Sequence, residues 1–180
     1  MKATRNDAEA DEFDLLYASA AVGILRQMVM LTGDAAEAED VTAEAFERAW
    51  LNWSTVRRCR SPEAWVRTVA RRIAVSRWRR MRNSSTAWRR RESRPSPLPD
   101  DVDRVALITA LQSLPRAQRV AIVLFHFADL PVAQVAEETG ASVAAVKQQL
   151  VRGRASMALL LADGSGTEGV SGVPVTGAEA

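Results

Sequence analysis

Ser142-Val143-Ala144-Ala145-Val146-Lys147-Gln148-Gln149-Leu150-Val151-Arg152-Gly153-Arg154 is the stretch on which the fold turns. It reads as the second helix of a helix-turn-helix. The Ser142 hydroxyl suits a helix cap. At helical spacing Val146, Leu150, Gly153 and Met157 share one face, which can pack. Ala144, Lys147, Gln148, Val151 and Arg152 fall opposite and present amides, a small apolar contact and two cations. Those groups suit base edges and thymine methyls in the major groove.

Working outward, Leu130-Pro131 opens a preceding helix with proline at its first position, where no amide bond is lost. Gly140 supplies the left-handed turn that ends that helix. Upstream, Val105, Ile108, Leu111 and Leu114 line one helix, and Leu114-Pro115 opens another carrying Val120, Val123, Leu124 and Phe127. Residues 101–161 thus make one small helical unit.

Residues 83–100, rich in Ser, Arg and Pro, hold no apolar period and read as a flexible linker stiffened by proline. Before them lies a second unit, residues 11–82. Asp11–Leu31 is a helix with Phe13, Tyr17, Ala20, Ile24, Met28 and Leu31 on one face. Asp34, with Glu37 three residues on, has a capping-box pattern for a helix reaching about Trp53. That helix turns Ala38, Val41, Ala45, Ala49 and Trp53 inward, and Asp40, Glu44, Glu47 and Leu51 outward. Ser54–Arg60 reads as a short loop. Ser61-Pro62-Glu63 then starts a helix to about Met81, packed through Trp65, Val66, Val69 and Ile73. Its opposite, exposed side interleaves Arg67, Arg71, Val75 and Trp78, flanked by Arg72 and Arg79. Guanidinium groups match phosphate, and an indole among them can stack on unpaired bases. The termini, 1–10 and 162–180, are expected to be disordered. The expectation is an all-α chain of two small helical domains.

The net charge of +2 conceals a polarity. Residues 1–50 are acid-rich, whereas residues 57–94 carry most of the arginine against only Glu63 and Glu92. Such asymmetry points to an anionic partner for one segment. Cys59, the single cysteine, excludes an internal disulfide. No signal peptide is legible, and no run reads as long enough to span a bilayer, so a soluble cytoplasmic protein is expected. His126, the only histidine, sits between Phe125 and Phe127 and reads as a packed or half-buried helix residue. With neither a metal-ligand cluster nor a phosphate-cradling loop, neither cofactor nor enzymatic activity is expected.

Together these segments resemble one family, the bacterial sigma-70 factors of the compact extracytoplasmic-function (ECF) type, and most closely an actinobacterial subgroup. Ala38-Glu39-Asp40-Val41-Thr42-Ala43-Glu44-Ala45-Phe46-Glu47-Arg48-Ala49-Trp50 is similar to the core-polymerase-binding segment. Ala64–Arg72 and Ser76-Arg77-Trp78-Arg79-Arg80 are similar to the promoter-melting segment, and Leu114–Leu160 to the fourth conserved region. The resemblance implies partners: core RNA polymerase, through the β′ clamp helices and the β flap, promoter DNA, and an anti-sigma factor as a further candidate. No membrane is implied, and the free protein is expected to be a monomer.

It also implies roles. Asp40, Glu44, Glu47 and Leu51 would dock on the clamp helices. The loop Asn52–Arg60 would hold a flipped minus-ten base, with Asn52 and Val56 near the pocket. Arg67, Arg71, Arg72, Val75, Trp78 and Arg79 would line the non-template strand. Lys147, Gln148, Val151 and Arg152 would enter the major groove at the minus-thirty-five element, with Arg154 near phosphate. Arg72 stands where the family often has Asn, Ser76 where it often has Asp, and Gln148-Gln149 where it often has Ser-Arg. A duplex-DNA regulator acting without replacing a sigma subunit, and a single-strand binding protein, are the rival readings.

Overall fold

The computed structural model describes the backbone of residues 2–83 and 102–164, with side chains over 7–77 and 103–162. Eight helices and no strand occur among these residues. The first unit holds α1 (Lys2–Thr32), α2 (Ala35–Leu51), the single turn α3 (Trp53–Val56) and α4 (Pro62–Asn83). The second holds α5 (Val102–Ser113), α6 (Arg116–His126), α7 (Val132–Thr139) and α8 (Val143–Gly164). Asn83, expected to open the linker, is the last residue of α4, and residues 162–164, expected in a disordered tail, end α8; the rest of the expected linker and tail lies outside the described residues.

Local chemistry sets the helix ends. Asp34 Oδ1 accepts from the Glu37 amide at 2.9 Å, and Ser61 Oγ accepts from the Ala64 amide at 3.1 Å. Each hydroxyl or carboxylate satisfies an amide that has no partner within its helix. Gly33 (φ +75°) makes the left-handed reversal between α1 and α2. The second helix stops at Leu51 rather than Trp53, because Asn52 caps it and its Nδ2 donates to the Arg48 carbonyl at 2.8 Å.

In the first unit α1 packs on α2 and α4. Ile24, Met28, Val41, Val56 and Val66 are fully buried. An aromatic cluster closes one end: Phe13 meets Trp50 at 5.0 Å and Trp53 at 5.3 Å between ring centroids, both edge-on. Such pairs add about 0.5–1.5 kcal/mol beyond their area. Tyr17, expected inside, is half-exposed but meets Phe46 edge-on at 4.8 Å. Truncating Ile24 to Ala should lower stability by about 2–5 kcal/mol, the loss of buried methyl groups plus an unfilled cavity. Urea unfolding of the two chains checks this.

Three expectations require correction. Helix α1 starts at Lys2, so residues 2–10 are helical and not disordered. Glu9 and Glu12 accept from Arg57 at 2.9 and 2.6 Å, which ties this end to the loop after α3. Residues Asp7–Thr32 are long and apolar enough to cross a membrane by length and composition, with mean hydropathy 1.4, contrary to the sequence reading. Met28, Val29, Met30 and Leu31 of that helix are buried in the protein's own core. Val105, expected inside, is 53% exposed, whereas Leu111 and Leu114 are buried as expected.

The buried core runs through both units as one cluster, from Ala20 to Met157. The end of α1 packs on α5 and α6.

Candidate nucleic-acid interface

Helix α8 is built as the sequence suggested. Gly140 (φ +69°) ends α7, and Ser142 Oγ accepts from the Ala145 amide at 3.1 Å. Val146, Leu150, Gly153 and Met157 are buried. Gly153 is needed for that packing: a Cβ there would lie 3.1 Å from Ile122 Cγ1. The opposite side leaves Ala144, Lys147, Gln148, Val151 and Arg152 exposed. Arg154 is held: its Nε donates to His126 Nε2 at 3.2 Å, and its guanidinium lies 5.1 Å from the Phe125 ring centroid. His126 is exposed rather than packed. Partial burial and the Arg154 charge, opposed by Asp129, hold its pKa below the usual imidazole value, which suits a neutral acceptor.

A second surface is the outer face of α2. Glu47 and Leu51 are exposed, Leu51 at 74%. Glu44 is bridged: its carboxylate takes Arg48 at 2.5 Å and Arg77 of α4 at 2.6 Å. Arg77 also reaches Glu37 at 3.5 Å and Asp40 at 3.8 Å. Burial would raise the Glu44 pKa, but the Arg77 hydrogen bond and the charges of Arg48 and Arg77 outweigh it and hold the carboxyl low. Arg77 went unassigned in the sequence. The signal for it was there: Glu37, Asp40 and Glu44, spaced three and four apart, put three carboxylates on one side of α2.

The third surface, on α4, differs from expectation. Arg72 is exposed and Val75 half-exposed, but Arg67 and Arg71 are buried, at 3% and 9% exposure. Arg67 Nη2 meets Glu138 Oε1 of α7 at 2.9 Å, and its Nη1 meets Glu63 at 3.0 Å. Arg71 Nη2 donates to the Glu138 carbonyl at 2.5 Å. Burial and the neighbouring charges of Arg72 and Arg116, opposed by Glu138, lower the Arg71 pKa. The sequence could not show this, because the covering helix comes 67 residues later. Val56 is fully buried and faces the core rather than a base pocket, because the turn α3 points it inward. Asn52 is exposed beside it. The side chains of Trp78 and Arg79 lie outside the described residues. Among the described residues no group of three or more His, Cys, Asp or Glu converges as a metal site would.

Two exposed faces of different chemistry thus coexist, the acidic outer face of α2 and the face of α8 that carries Lys147, Gln148, Val151 and Arg152. Residues 16–84 match Sigma-70 region 2, and residues 104–157 match Sigma-70, region 4. The chain belongs to the sigma-70 family. Its relatives are of the ECF type. This sigma factor is 33% identical over 150 residues to ECF RNA polymerase sigma factor SigL of Mycobacterium tuberculosis, covering 79% of its own length and 85% of SigL. Its fold matches the sigma factor RpoE of Bartonella quintana, solved in complex with the anti-sigma factor NepR. The TM-score is 0.73 at 21% identity, over 84% of this chain and 97% of RpoE. It also matches the crystal structure of the Mycobacterium tuberculosis ECF sigma factor SigJ, with TM-score 0.53 at 28% identity, over 83% of this chain and 53% of SigJ. In this ECF sigma factor the region 2 match runs from within α1 through α4, and the region 4 match from within α5 into α8.

Proposed function

We propose that this sigma factor docks on core RNA polymerase through the outer face of α2, using Asp40, Glu44, Glu47 and Leu51. The turn around Asn52 and the α4 residues Arg67, Arg71, Arg72, Val75, Trp78 and Arg79 take the melted minus-ten strand. Lys147, Gln148, Val151 and Arg152 read the minus-thirty-five duplex, with Arg154 beside phosphate. The observation that carries the reading is the two-sidedness of α8. Val146, Leu150 and Met157 are buried while Lys147, Gln148, Val151 and Arg152 stand in solvent on a helix-turn-helix.

The polymerase core supplies the chemistry, and the sigma factor supplies address and strand opening. Two weak readers held at a fixed separation raise each other's effective concentration, so neither must bind tightly alone. Opening costs a few kcal/mol for each extruded base. Stacking on aromatic side chains returns about 1–3 kcal/mol per base. The free protein is read as a cytoplasmic monomer. As in the RpoE–NepR complex, an anti-sigma factor is a fitting inhibitor.

Gln148, exposed on α8, carries the amide that bonds adenine bidentately through its N6 and N7. Selection of minus-thirty-five duplexes bound by the holoenzyme should enrich adenine at one position. Gln148→Ala should remove that preference at a loss of about 1–3 kcal/mol. Equal tolerance of all four bases by the unsubstituted protein would exclude the contact.

A further inference from the structure

We propose that His126 is a positioning residue for minus-thirty-five recognition: it holds the Arg154 side chain so that the two Nη groups are presented to a DNA phosphate, which rests on α8 being the groove-reading helix.

Position along α8 sets what Arg154 can reach. Lys147, Val151 and Arg154 follow one another at spacings of four and three and so share one side of the helix. All three are exposed. A recognition helix reads base edges with its N-terminal residues. Arg154, two turns beyond Lys147, comes out beside the sugar-phosphate backbone.

An arginine at such a place must be aimed. Its long side chain has much rotamer freedom, and freedom lost only on binding subtracts from affinity. His126 and Phe125 remove part of it beforehand. Arg154 Nε donates to His126 Nε2 at 3.2 Å. The guanidinium lies over the Phe125 ring, 5.1 Å from its centroid, and that ring meets the His126 imidazole edge-on at 4.9 Å. Two consecutive residues of α6 thus fix one edge and one face of the guanidinium. The edge left over is the Nη1–Nη2 pair, which can donate to two phosphate oxygens at once. Among the described residues no carboxylate bridges Arg154.

The anchor is itself held. His126 is the last residue of α6, and the Phe127 and Ala128 amides both donate to the Val123 carbonyl, at 2.9 and 3.2 Å. The Leu130 amide donates to the Leu124 carbonyl at 3.2 Å. Between them Asp129 takes φ +50°, a left-handed conformation that Asp adopts more readily than most residues.

The hold requires a neutral imidazole, because Nε2 accepts only while it carries no proton. The charged groups that face the ring are Arg154 from α8 and Asp129 from the turn after α6. Partial burial and Arg154 outweigh Asp129 and keep the pKa below its usual value. The contact therefore stands at neutral pH and is lost as the pH falls through that lowered value.

The test uses holoenzyme assembled from core polymerase and the full-length sigma factor, with a fluorescein-labelled duplex carrying the minus-thirty-five sequence enriched in the selection above. Arg154→Ala should weaken binding roughly tenfold or more, the loss of a charge-assisted phosphate contact. His126→Ala should weaken it roughly threefold to tenfold, because the arginine must then be ordered on binding. His126→Gln, whose amide oxygen can accept near the place of Nε2, should restore most of that loss. In a chain that already carries Arg154→Ala, adding His126→Ala should change affinity by less than about twofold, since His126 acts only through that side chain. In nitrogen-edited spectra of the free protein the Arg154 Nε–H should be protected from exchange at neutral pH. It should lose that protection on acidification, and at every pH in His126→Ala. Wild-type affinity in His126→Ala overturns the proposal, and so does an equal loss from it with and without Arg154. A His126→Gln chain as weak as His126→Ala, or an Arg154 signal indifferent to pH, overturns it too. Arg154→Ala without loss of affinity would refute the phosphate contact itself, and the role of His126 with it.

Discussion

Replacing Asp40 and Glu44 together by lysine should weaken binding to core RNA polymerase by roughly a hundredfold or more, about 2.8 kcal/mol. Two effects combine. The outer face of α2 loses two carboxylates and gains two ammonium groups where a basic partner surface is proposed, and opposed like charges cost several kcal/mol. The lysine replacing Glu44 would also face Arg77 and Arg48, the cations that Glu44 now bridges. Arg77 would be left with Glu37 as its remaining carboxylate partner. The fold should survive, since Asp40 is 63% exposed and the apolar face of α2 is untouched. Fluorescence anisotropy of labelled sigma factor titrated with core measures the loss. Binding of region 4 to a minus-thirty-five duplex should not change. Wild-type affinity for core in the double variant would remove α2 as the docking surface.

The second large effect concerns Arg71 and Arg72. Changing both to Ala should slow open-complex formation by roughly a hundredfold while core binding changes less than about threefold. Each lost charge-assisted hydrogen bond to phosphate costs about 1.5–3 kcal/mol, with partial compensation between neighbours. Arg71→Ala also removes the hydrogen bond to the Glu138 carbonyl. Permanganate footprinting of promoter thymines, with holoenzyme assembly measured in parallel, separates the steps. Equal losses in assembly and opening would show that α2 and α4 do not divide the work as proposed. The direction of the salt effect adds a check, because fewer phosphate contacts flatten the dependence on salt.

Much of the architecture was readable from local signals. Gly140, Ser142 and the Val146–Leu150–Gly153–Met157 stripe announced the helix-turn-helix, and each does in the structure what its chemistry suggested. Asp34 and Ser61 marked helix starts for the same reason. These are properties of a few adjacent residues. What was not legible depends on distant partners. The alternation of Arg67 and Arg71 with apolar residues is the pattern of a solvated face, and only the arrival of Glu138 makes it an interface. The early start of α1 depends likewise on Arg57, which holds Glu9 and Glu12 from beyond the end of α2. Val56, placed near the base pocket by the resemblance alone, is turned into the core by the four-residue helix α3. The exposed acidic face of α2 was legible by spacing, yet the cation that organises it, Arg77, sits on another helix.

That this protein directs a polymerase to chosen sites is tested most directly by run-off transcription with purified core enzyme and fragmented genomic DNA. Core alone should start without preference, and core with the sigma factor should yield discrete transcripts from a limited set of fragments. The same transcript pattern with and without the protein would contradict the assignment.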